Sequence, residues 1–166
     1  MKRILAVAGL VALMTVGGAG VASAQTTKVS FRLTSKTCPR LPAGTTVKGI
    51  GRQSAVTKTT TDPATGIVTV VNYTKSVGTA TDNKGGSYLF DYRNSFHVQN
   101  SAAAPATYIG TMFDLFSLTG RGPSSLRNGF VALFTTDLAS SFSFQRLLAW
   151  GDPIAFPSGA AHCDPL

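Results

Sequence analysis

SYLFDYRNSFHV, residues 87–98, is the stretch that decides the fold. Tyr88, Phe90, Tyr92, Phe96 and Val98 share one parity, and Leu89, Asp91, Arg93, Ser95 and His97 share the other. Successive side chains of an extended chain point to opposite faces, so this alternation predicts a strand with an aromatic inner face. The same reading extends in both directions. Upstream, the Thr81–Gly86 segment (TDNKGG) predicts a turn, Ile67–Val77 a strand, and Asp62-Pro63-Ala64-Thr65-Gly66 another turn in which proline presets φ and glycine admits a left-handed residue. Thr45–Thr60 is Thr-rich and weakly apolar, with Gly49 and Gly51 predicting a bulge or bend, and Val29–Leu33 alternates as a first strand. Downstream, Tyr108–Leu118, Phe130–Leu138 and Phe142–Trp150 read as strands, the last two joined at Ala139-Ser140-Ser141.

Composition agrees. All seven acids of the 166-residue chain are Asp and none is Glu, which favours turns over helix interiors, while ten Phe and four Tyr sit among Gly-rich and Asn/Asp-rich breaks. The expectation is all-β: a single antiparallel β-barrel or β-sandwich of about seven to eight strands, with no βαβ alternation.

Residues 1–24 read as a cleaved signal peptide. Lys2 and Arg3 precede the apolar run Ile4–Val16, and Ala22-Ser23-Ala24 supplies the small residues at a cleavage point. Residues 25–166 then form one secreted, extracellular domain of bacterial style, with no later apolar run long enough to span a membrane. In an oxidising compartment the two cysteines, Cys38 and Cys163, are expected to form a disulfide that joins the start of the mature chain to its end.

Catalytic motifs are missing from the sequence. It has no G-x-S-x-G, no H-E-x-x-H and no phosphate-cradling glycine loop before a helix, and without Glu the usual carboxylate pair of glycosidases is reduced to Asp alone. His97 and His162 stand apart from any ligand spacing, so neither a metal nor another cofactor is expected.

Two constellations remain. Asn94, Asp114 and Arg146 each share parity with apolar neighbours, which predicts a buried polar set: either a structural ion pair or the polar groups of an internal pocket for a small apolar molecule. The other is charge. Lys28, Arg32, Lys36, Arg40, Lys48, Arg52 and Lys58 occur between Gln25 and Thr61 without one acid, whereas residues 62–166 are nearly neutral. This basic third suits an anionic cell-wall polymer, a polysaccharide, anionic lipid heads or an acidic protein, and equally suits ordinary solvation and protection of a sheet edge. Nucleic acid fits this segment poorly, since only Phe31 offers a stacking surface there. The leading expectation is a non-catalytic binding domain. A small-ligand barrel and a protein inhibitor presenting Gly120–Asn128 are the alternatives.

Overall fold

The computed structural model describes residues 21–139 and 141–151. Seven strands follow one another: β1 (Val21–Thr34), β2 (Thr46–Thr61), β3 (Val68–Asp82), β4 (Ser87–Ser101), β5 (Ala104–Arg121), β6 (Leu126–Thr136) and β7 (Phe142–Trp150). Each pairs antiparallel with the next in one sheet of order β1-β2-β3-β4-β5-β6-β7. No helix occurs among the described residues, and none is therefore long and apolar enough to cross a membrane. The all-β, antiparallel expectation holds, with strands longer than the alternation alone marked.

The barrel does not. β1 and β7 are the two ends of the sheet order and do not pair, so the sheet stays open, and the described residues form no second sheet to make a two-sheet sandwich. Closure depends on whether the outermost strands meet, and alternation carries no information about that. The sheet nevertheless curls strongly. In a flat sheet β1 and β5 would lie about 19 Å apart, yet the Phe31 ring on β1 packs 5.0 Å from Phe90 on β4 and 5.9 Å from Phe116 on β5, edge to face. Around these rings Leu33, Leu41, Val47, Ala80, Tyr88, Leu118 and the fully buried Cys38 form the main core. Cys38 is not a free thiol, and Cys163 lies outside the described residues. A second cluster, built on Val70, Val98 and Phe134, fills the other end of the inner face.

Glycine makes the curl possible. Gly49 is directly opposite Phe31, and Gly51 opposite Gly78, all in unbroken register, so of the expected bulge or bend there is no bulge, and the glycines serve as clearance where the sheet curls. A methyl group at Gly49 would overlap the Phe31 ring, and one at Gly51 or Gly78 would meet the Phe90 ring and the neighbouring backbone. Gly49→Ala is therefore expected to lower the melting temperature by roughly 5–10 °C through overpacking. An unchanged melting curve would show that Phe31 moves aside freely.

Candidate functional site

Register decides which side chains share a face. Every Lys and Arg on a strand points outward, away from the Phe31–Phe90–Phe116 core: Lys28 and Arg32 on β1, Lys48, Arg52 and Lys58 on β2, Lys75 on β3, Arg93 on β4, and Arg121, Arg127 and Arg146 on β5 to β7. Among the described residues Asp91 is the lone acid at an outward strand position, and Arg93 engages it bidentately, Nε and the second guanidinium nitrogen each donating at 2.9 Å. That hydrogen-bonded partner holds the Asp91 carboxyl below its ordinary range, with the charge of Lys75 adding to the effect.

The cations are not scattered. Lys28 is directly opposite Arg52, Arg32 is directly opposite Lys48, and Lys75 is directly opposite Arg93. Like charges facing each other across a ladder destabilise a sheet, so the pairs Lys28–Arg52 and Arg32–Lys48 run against what stability alone would select, whereas Lys75 and Arg93 share the charge of Asp91. Lys36 and Arg40, from the same basic third, lie instead in the loop between β1 and β2, off this face.

Between the cations the outer face is apolar. Ile50, Tyr73 and Leu89 are 68%, 62% and 67% exposed, and Val56 and Val77 are exposed beside them. A shallow groove of about 320 Å³ runs across this part of the sheet, bordered by Val56, Tyr73, Lys75, Arg93, Ser95 and Phe113. One row across the strands, Ser54-Lys75-Arg93, carries the charge, and the adjacent row, Val56-Tyr73-Ser95-Phe113, is mostly apolar.

The second constellation is only partly assembled. Asn94 and Asp114 are directly opposite on β4 and β5, facing inward, and Asn94 Nδ2 donates to Asp114 Oδ2 at 2.9 Å. Tyr92 Oη donates to the same oxygen at 2.8 Å. Arg146 is elsewhere. The β6–β7 register shifts between Leu133 and Phe134, so Phe144 faces inward opposite Phe134 while Arg146 pairs with Leu133 on the outer face. The extra residue, Gln145, breaks the parity between Phe144 and Arg146, so Arg146 stays with Leu148 but on the outer face.

Burial raises the Asp114 carboxyl above its ordinary value, and the two donated hydrogen bonds only partly oppose this. In the window above the unfolded value of 3.8 the native state thus binds more protons, so this group makes the fold more stable as pH falls and less stable as it rises. Asp114→Asn should remove that dependence. The melting temperature of the wild type relative to Asp114→Asn is expected to rise as pH is lowered from 8 towards 4, and a difference independent of pH would contradict the buried-carboxyl account.

A further polar cluster escaped the sequence reading altogether. Asp82, at the end of β3, accepts from the backbone N–H of Lys84 (2.9 Å) and Gly86 (2.7 Å), from Tyr88 Oη (2.7 Å) and from Ser124 Oγ (2.7 Å). The Ser124 N–H in turn donates to Tyr88 Oη at 3.0 Å. This latch joins the β3–β4 turn to the β5–β6 turn. It also fixes Gly120–Asn128, which is no projecting loop but the end of β5, a short turn and the start of β6, with Ser124, Leu126 and Asn128 buried. The local signal was an Asp opening a Gly-rich turn, but its partner Ser124 is 42 residues away.

No group of three or more His, Cys, Asp or Glu side chains that could hold a metal occurs among the described residues. Comparison of the chain with known proteins yields no matching family model, no matching curated protein and no matching solved structure.

Proposed function

We propose that the protein is a secreted, non-catalytic β-domain whose cationic outer face binds an anionic extracellular or cell-surface partner. The observation that carries this reading is the pairing of Lys28 with Arg52 and of Arg32 with Lys48. A solvating role favours dispersed charge. Edge protection needs Lys on the edge strand alone, yet here half of each pair, and all of Lys75 and Arg93, lies on interior strands. Opposed cations with one acid at an outward strand position among the described residues are arranged to receive negative charge from outside the molecule.

Export fits this reading. Residues 1–24 act as the signal peptide, so cleavage trims Val21–Ala24 from β1 and the chain that remains starts within that strand at Gln25, ahead of Lys28 and Arg32, the first two cations of the face. We expect the partner of Cys38 to be Cys163, the other cysteine of the sequence, as the oxidising compartment allows. Retention on an immobilised polyanion tests the charge reading. Because surface attraction is screened, the protein should elute well before about 0.5 M salt, and retention independent of salt would overturn the proposal.

A further inference from the structure

The cations of β1 to β4 share their face with large apolar side chains that a hydrophilic polymer leaves without a partner. Ile50, Tyr73 and Leu89 each expose more than three-fifths of their surface, with Val56 and Val77 beside them. Apolar groups of this size grouped on one face mark an interaction surface, not incidental exposure. They interleave with charge in a regular way. Across β2 to β4 the outward rows run Ile50-Thr79-Leu89, then Arg52-Val77-Asp91, then Ser54-Lys75-Arg93, then Val56-Tyr73-Ser95. The Lys75–Arg93 row is thus adjacent to the Val56–Tyr73 row, and Arg52 to Ile50, within about 7 Å along the strand.

From this interleaving we infer that the outer face of β2 to β4, with Lys28 and Arg32 of β1 at its margin, docks on an anionic lipid bilayer. The inference rests on the charge reading above and specifies its partner. A bilayer interface offers both chemistries at once: phosphates for the cations, and an acyl boundary into which exposed aliphatic and tyrosine side chains insert. The groove bordered by Lys75 and Arg93 on one row and by Val56, Tyr73 and Phe113 on the next has the same layering, with positive charge next to an apolar wall. Charge complementarity is one-sided, since the single acid at an outward strand position, Asp91, is neutralised by Arg93.

Vesicle flotation of the full mature chain tests the inference. The probes are vesicles of equimolar phosphatidylglycerol and phosphatidylcholine, vesicles of phosphatidylcholine alone, and soluble polyphosphate. The wild type should float with the anionic vesicles and not with the neutral ones. A variant combining Ile50→Ser, Tyr73→Ser and Leu89→Ser, all at exposed positions, should lose at least about tenfold in vesicle partitioning while binding polyphosphate as before. Binding to polyphosphate without flotation would overturn the lipid inference and leave the charge reading standing. Binding to neither would overturn both. Equal flotation of the triple variant would show that the apolar rows do not insert, and self-association abolished by the same substitutions, without flotation, would assign the face to a second copy of the chain.

Discussion

Asp82→Ala is expected to be among the most destabilising single substitutions in the described chain. Its carboxylate is the common acceptor of four donors, and Tyr88 and Ser124 are themselves buried, 3% and 1% exposed. Removing the acceptor leaves at least two buried hydroxyls and a backbone N–H without their partner, each worth about 1–3 kcal/mol. Three such groups sum to about 3–9 kcal/mol, and the lower part of that range, about 3–5 kcal/mol, is already a large share of the roughly 5–15 kcal/mol that holds a domain together. Differential scanning calorimetry should show a fall of roughly 10–20 °C, against a few degrees for Tyr88→Phe, which removes one hydroxyl. Burial works against ionisation of Asp82, but the four donated hydrogen bonds outweigh it and lower the carboxyl from 3.8 to about 2. A depressed native value means that the unfolded chain takes up the proton first. The stabilisation is therefore complete above about pH 4 and lost as pH falls through 3.8 towards 2, opposite in sign to the effect of Asp114. A melting temperature of Asp82→Ala within 3 °C of the wild type would show that the two turns are held by something other than this latch.

Neutralising the two opposed pairs, with Lys28→Gln, Arg32→Gln, Lys48→Gln and Arg52→Gln combined, should separate binding from stability. If each cation contributes about 0.5–1 kcal/mol towards a negatively charged surface, the four together are worth about 2–4 kcal/mol. Affinity for an anionic partner then drops between about 30-fold and about 1,000-fold. Stability should move the other way. Relief of two like-charge contacts leaves the melting temperature unchanged or raises it by about a few degrees. Fold and function thus pull in opposite directions at these positions. A variant that is less stable and binds as before would assign the cations a structural role.

Where the sequence was legible, the reason was local. Alternation in residues 87–98 carries strand β4 and its inner face because side-chain parity is a property of neighbouring residues. The same parity brought Asn94 and Asp114 together, since β4 and β5 keep regular register through that region. It failed for Arg146 because Gln145 is an unpaired extra residue, and one residue is enough to exchange the faces of a strand. Counting charge along the chain found the basic third but stopped at Thr61, so Lys75 and Arg93 were missed. Only the register of β3 with β4 sets them opposite each other on the face begun by Lys28 and Arg52. The open sheet was illegible for a related reason. Curling follows from Phe31 reaching over Gly49 to Phe90 and Phe116, contacts between residues 59 and 85 positions apart in the chain. Asp82 read as a turn former, and its four-donor role appears only when Ser124 is folded against it.

A binding face on the outer side of β1 to β4 determines which lysines an anionic partner covers. Amine acetylation of the folded protein, with and without bound polyanion and read residue by residue by mass spectrometry, reports this. Lys28, Lys48 and Lys75 on the outer face should be protected several-fold, while Lys84, in the β3–β4 turn with its Nζ donating to the Ala43 carbonyl, and Lys36, in the β1–β2 loop, should react at unchanged rates. Protection spread evenly over these five lysines, or confined to Lys36 and Lys84, would contradict a binding face on the outer side of β1 to β4.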